Sequence, residues 1–175
     1  LYSTATTSPG GIEVLKGPGT ALYGSDAMAA VIDVHSRAPQ NDAALEARLG
    51  GGMYGARSLR VAADMPVSDN QLTSVALGYD GEDGWRDHSA WERLQGIARH
   101  RWFLGAATID TSLVVTDFRS EMTGQLAPAV YEHDPEDDGL APGVPLDEAT
   151  DDAIYARLAS AIRAPLADDV WIEVK

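Results

Sequence analysis

The chain has 175 residues, with 13 Lys and Arg against 27 Asp and Glu, a formal net charge of −14 and no cysteine. This acidity argues against a nucleic-acid partner, which wants a basic face, and the missing cysteines exclude disulfides, thiolate metal sites and cysteine nucleophiles. No run of about 18 apolar residues is present, so no transmembrane helix is expected, but a membrane-crossing strand needs only about 9–11 residues with alternate ones apolar.

The length suits one ordinary domain, yet the chain reads as a piece of something larger. It opens at Leu1 without a methionine, shows no signal segment, and stops at Lys175 within what reads as a strand. The first eleven residues, LYSTATTSPGG, are small and polar and read as loop. Ile12 to Leu15 is a short predicted strand that Gly17-Pro18-Gly19 ends. Thr20 to Tyr23 suits one tight turn or a short helix, and Ala27 to Ser36 is β-branched and apolar enough for a second strand. Arg37 to Asp42 reads as a linker.

From Ala43 onward the pattern alternates with a period of two. Leu45, Ala47 and Leu49 share one face, as do Leu59, Val61, Ala63 and Met65, then Thr73, Val75, Leu77 and Tyr79. Ile109, Thr111, Leu113 and Val115 continue the series, as do Ile154, Ala156, Leu158 and Ile162. Arg93 to Trp102 alternates poorly, with Ile97 among Gln95, Arg99 and Arg101, and is still read as a strand. Short turns at 66–70, 104–105 and 166–169 alternate with long polar stretches at 80–92 and 123–152, the latter with four prolines. Short turns at one end and long loops at the other is the plan of an outer-membrane barrel. A soluble antiparallel sheet with one wet face fits the alternation alone equally well.

The stretch EVLKGPGTALYGS at 13–25 raises the question of a phosphate loop. Lys16 precedes Gly17 and no Gly-Lys-Ser/Thr follows, so it is not a P-loop; position 22 is leucine, so the dinucleotide fingerprint fails too. Pro18 removes an N–H that could donate to a phosphate. Turns and close backbone approach explain the glycines better.

The string Ile12-Glu13-Val14-Leu15-Lys16-Gly17-Pro18, then Ala21-Leu22-Tyr23-Gly24-Ser25, then Val31-Ile32-Asp33-Val34 and a basic residue with proline, resembles the end of the plug domain of TonB-dependent outer-membrane receptors. The resemblance covers residues 12 to 39, and Asp83 to Ser89 resembles the second outer loop of such receptors. It departs at Ala29-Ala30, where the family has Gly-Gly, at Asp33 for Asn, and at Lys16 for Arg. The resemblance implies a mainly β fold: residues 1–40 as the C-terminal part of the plug, and 41–175 as about seven antiparallel up-and-down strands of an incomplete transmembrane barrel. Complete barrels of this kind have about 22 strands around a plugged lumen. It also implies a basic residue at Lys16 pairing with carboxylates on the barrel wall, with an ordinary surface lysine as the lesser alternative. The function implied is TonB-coupled import of a scarce solute such as a ferric siderophore, haem or cobalamin. The partners implied are the outer-membrane bilayer, the TonB energy-transducing complex (gripping a segment upstream of these residues) and a small ligand.

Other residue groups point less far. His35, His88, His100 and His133 are scattered without metal-ligand spacing, although His88 and His133 fall in the two long loops with Trp85 and Arg86. These four loop residues, Trp85, Arg86, His88 and His133, are the candidate ligand-facing set; solvated loop side chains are the plainer reading. The acids from Asp134 to Asp138, with Asp147, Glu148, Asp151 and Asp152, lack the spacing of a calcium loop. Trp85, Trp91, Trp102, Trp171, Tyr79, Tyr131 and Tyr155 lie mostly near predicted strand ends, where an aromatic girdle would place them. No Gly-x-Ser-x-Gly and no supported Ser/His/Asp set occurs, so no catalytic, cofactor or metal residue is assigned and no enzyme is expected. A non-transporting β module, such as an adhesin or soluble sandwich, remains the alternative.

Overall fold

The computed structural model describes residues 7, 9–17, 29–167 and 170–174. The turn at Thr20–Tyr23, and with it Pro18, Leu22, Tyr23 and Gly24 of the family signature, lies outside the described residues. Two strands form a hairpin, β1 (Pro9–Lys16) and β2 (Ala30–Ser36). Seven more follow: β3 (Ala44–Gly51), β4 (Arg57–Ser68), β5 (Gln71–Glu82), β6 (Trp91–Leu104), β7 (Ala107–Glu121), β8 (Thr150–Ala167) and β9 (Val170–Val174). A short helix α1 (Pro128–His133) and a 3-10 turn (Leu146–Glu148) lie between β7 and β8.

The hairpin is its own two-stranded antiparallel sheet, with Glu13 opposite Asp33 and Val14 opposite Ile32. Gly17 follows β1 at a φ of 112°, a left-handed backbone that favours glycine, and its N–H donates to Ala29 O at 2.9 Å. The other seven strands form one sheet in sequence order, every neighbouring pair antiparallel. This is the up-and-down wall the alternation predicts. The sheet is open, with β3 and β9 as its edges.

Register puts residues of like character in rows across the wall. One row runs Leu45, Ala63, Val75, Ala98, Leu113, Leu158; the next runs Ala47, Val61, Leu77, Gly96, Val115, Ala156. This aliphatic face is open: Leu77 is 56% and Leu113 41% exposed, whereas their chain neighbours Ala76 and Val114 are 4% and 2% exposed on the opposite face. A soluble sandwich would stack a second sheet on the aliphatic side, and none stands there among the described residues. On β8 the same face runs from Ile154 to Leu166, about 40 Å of strand, or about 28 Å of height at the usual tilt. That matches the apolar band of about 25 Å on transmembrane barrels. A row of Arg57, Glu92, Arg119 and Asp152 bounds the band towards the long loops.

The opposite face, called inner here because the hairpin segment touches it, is polar at both ends and packed in the middle. Ala76, Ile97 and Val114 form its buried cluster, with Ala62 against them. This explains the poor alternation of β6: Ile97 turns inward to that cluster, while Gly96, Ala98 and His100 take outward positions. The outward placement that a girdle needs is met by Tyr79 and Trp102, near opposite ends of the wall. It fails for Trp91, which stacks on Phe118 at 6.5 Å, and for Tyr155, which lies opposite buried Thr116. Both fall on inner rows, because inward positions also alternate and an aromatic near a strand end fits either face. The long stretches are also shorter and more structured than expected. β5 and β6 leave only residues 83–90 between them, and β7 and β8 leave 122–149. Within that loop Pro128 starts α1, whose fixed φ suits a first helical position.

Candidate functional site: the inner wall and the long loops

Two groups of side chains join the hairpin segment to the inner wall. Arg37, just past β2, pairs with Asp64 of β4, whose side chain is completely buried. Arg99 of β6 donates Nη1 to Ser36 O at 2.8 Å. Higher on the same face, Gln95 Oε1 accepts from Thr7 N at 3.1 Å and Thr7 Oγ1 at 2.9 Å, while its Nε2 donates to Thr116 Oγ1 at 3.0 Å. Gln95 and Thr116 are fully buried, so these bonds satisfy groups that water cannot reach. Gly78 makes the seat possible: a Cβ there would stand 2.6 Å from Thr7 Cγ2 and Oγ1.

The wall's own charges are arranged as cross-strand pairs. Asp80 Oδ1 accepts from Arg60 and Oδ2 from Arg93, each at 2.8 Å. Arg101 holds Asp110 through two bonds at 2.8 and 3.1 Å. Among the described residues Lys16 makes no ion pair; the cation that docks the hairpin segment on a wall carboxylate is Arg37 instead. Composition alone did not single out Arg37, Asp64, Gln95 or Gly78. A carboxylate or glycine amid the small residues of an inward row was the available signal.

At the other end, the 83–90 and 122–149 loops hold each other. Arg86 donates Nε and Nη2 to Asp137 O at 3.0 and 2.9 Å and Nη2 to Gly124 O at 3.2 Å. His88 Nε2 donates to Ala149 O at 2.8 Å, and its Nδ1 stands 3.5 Å from Glu121 Oε1. Trp85 is half exposed, with the Arg86 guanidinium 5.9 Å from its ring. His133 sits exposed at the end of α1, its Nδ1 on Ala129 O. The structure thus brings Trp85, Arg86 and His88 together and leaves His133 on another segment. Beside this cluster, Arg57 reaches Asp83 Oδ1 at 2.8 Å; Asp83 first and Tyr79 second hold its guanidinium above its ordinary pKa. Among the described residues no three His, Asp or Glu converge as for a metal ion, and no helix is long and apolar enough to cross a membrane, which says nothing of strands.

An open antiparallel wall with a lipid-compatible outer face, a polar inner face touched by an N-terminal hairpin, and long loops at one end defines a segment of an outer-membrane-type barrel protein. Comparison with known proteins narrows that class. The vitamin B12 transporter BtuB of Vibrio vulnificus (strain CMCP6) is 31% identical over 74 residues, which is 42% of this chain and 12% of that protein. The ferripyoverdine receptor of the outer membrane of Pseudomonas aeruginosa, solved bound to ferripyoverdine, superposes with a TM-score of 0.68 at 13% identity over 89% of this chain and 21% of that one. A chain in the structure of the FpvAI–pyocin S2 complex gives 0.70 at 14% identity, over 89% of this chain and 22% of that one. No protein-family model matches. In fold the chain is similar to the TonB-dependent outer-membrane receptors, and its sequence match spans about an eighth of the length of the vitamin B12 transporter named above.

Proposed function

We propose that this chain is part of an outer-membrane receptor that captures a scarce solute, such as a ferric siderophore, and imports it with energy from the TonB complex. Residues 1–40 are then the end of the plug, and 41–175 the first seven strands of the barrel. The long loops face the cell exterior, the short turns face the periplasm, and the aliphatic rows meet lipid. The observation that carries this reading is the hairpin segment seated on the polar inner face of a wall whose other face is aliphatic. A plug must be held by polar contacts that can be exchanged, and a lipid-facing surface must leave no backbone group unpaired.

The related proteins named above include a vitamin B12 transporter and a ferripyoverdine receptor, so those two solutes are the first probes. The test is uptake by the full-length receptor in a strain lacking its other iron and cobalamin receptors, measured with ferripyoverdine, cyanocobalamin and a panel of ferric chelates. Accumulation of one solute that stops when TonB is deleted supports the reading. Uptake of none, or uptake indifferent to TonB, contradicts it.

A further inference from the structure

We propose that Arg86 is a positioning residue, which holds the 122–149 loop against the 83–90 loop so that the two present one surface, and which does not itself meet the solute. The inference rests on the reading that these loops receive the solute. Three features carry it.

The first is where the guanidinium is spent. Arg86 bonds Asp137 O and Gly124 O, backbone acceptors on the two limbs of the long loop's neck. Those limbs are tied to each other by Gly124 N to Asp138 O at 2.7 Å, and Asp87 N adds a bond to Glu136 O at 2.7 Å. The second is the fit. A Cβ on Gly124 would lie 1.9 Å from Gly139 O, and one on Gly139, where φ is 66°, would lie 2.9 Å from Arg86 Nη2. Glycine at 124 therefore lets the two limbs close on each other, and glycine at 139 leaves room for both the Gly124 carbonyl and the guanidinium. His88 secures the far end of the same loop: its backbone is left-handed at φ 55°, and its side chain, 8% exposed, lies between Glu121 and Ala149 O. A non-glycine residue keeps such a conformation where its surroundings fix it on several sides.

The third feature is charge. Residues 83–90 and 122–149 together contain nine Asp and Glu and one Lys or Arg, which is Arg86. Mutual repulsion among those carboxylates favours an open loop, and the single cation sits at the neck where closing must happen. The guanidinium sets a rigid fork of two nitrogens on the neck, Nε and Nη2 on Asp137 O and Nη2 also on Gly124 O, whereas a lysine ammonium is a single flexible point of attachment. Arg86→Lys therefore keeps the charge and loses the tie.

The experiment uses the full-length receptor in purified outer membranes without ligand. The 122–149 loop contains no trypsin site, but a glutamyl endopeptidase cuts after Glu132, Glu136 and Glu148. Cleavage tracks the population of the open loop, so Arg86→Ala and Arg86→Lys should each raise its rate by about tenfold or more, with barrel migration on unheated gels unchanged. Gly139→Ala, which leaves Arg86 in place and obstructs the neck, should do the same and serves if an Arg86 variant fails to assemble. Wild-type cleavage rates in Arg86→Ala or in Gly139→Ala, or full protection in Arg86→Lys, would overturn the proposal. Because no ligand is present, a receptor that imports none of the solutes tried leaves this result standing.

Discussion

Replacing Gly78 by valine should loosen the N-terminal segment from the wall without damaging the wall. The three atoms nearest a new Cβ all belong to Thr7, at 2.6, 2.6 and 3.1 Å. Ordinary contact needs about 3.5–4.0 Å, so Thr7 must retreat by roughly an ångström, more than either of its bonds to Gln95 tolerates. Those two bonds, of 3.1 and 2.9 Å, are neutral, each contributing about 0.5–1.5 kcal/mol net. Their joint loss is about 1–3 kcal/mol, or about a 5- to 150-fold rise in the released population. Gln95 keeps its bond to Thr116 and the β5–β6 ladder is unaltered. Amide hydrogen exchange on the full-length receptor reads this directly. The peptide containing Thr7 should exchange faster by that factor, while peptides from β6 and β7 keep their protection. Thr7→Val removes one of the two bonds and should give a smaller effect of a few-fold. Unchanged exchange around residue 7 in Gly78→Val would show that Thr7 is not seated there.

Two further predictions concern the wall. Leu113→Arg places a charge in the middle of the aliphatic rows and should destabilise the folded barrel in lipid by about 2–4 kcal/mol, whereas Ala159→Arg, on the inner face, should change stability by less than about 0.5 kcal/mol; denaturant titration in vesicles measures both. Asp80→Ala leaves Arg60 and Arg93 on facing rows without their shared acid. With Arg93 17% and Arg60 37% exposed, the loss should fall towards the low end for a broken buried pair, about 3 kcal/mol. Adding Arg93→Leu should return part of it, and an Asp80→Ala barrel as stable as wild type would refute the pairing.

Much of the wall was legible because each strand reports its own faces. Leu59, Val61 and Ala63 alternate with Ser58, Arg60 and Ala62 whatever their neighbours do, and the turn residues give the order of pairing. The family resemblance of residues 12–39 came from short-range order in the same way. What was not legible depends on residues brought together across the sheet or between loops. Ile97 looks misplaced in β6 until Ala76 and Val114 stand beside it. Arg86 invites reading as a ligand contact because it lies in a long loop, yet its partners are backbone oxygens about 40 and 50 residues away, which no side-chain pattern announces. Arg37 reads as part of a linker, because its ion pair to Asp64 joins segments 27 residues apart. Gly78 likewise reads as a weak point in a strand until Thr7 is placed on it.

In the proposed receptor, one face of this sheet meets lipid and the other meets the hairpin segment and water. Nitroxide labels placed singly on the full-length receptor in a bilayer test it directly. At Leu77, Leu113 and Leu158, relaxation by oxygen, which concentrates in lipid, should exceed relaxation by a water-soluble nickel chelate. At Ser112 and Arg157, on the inner rows, oxygen should have no such advantage. Outward labels reached by the nickel chelate as readily as by oxygen would contradict the membrane wall, and with it the receptor reading built upon it.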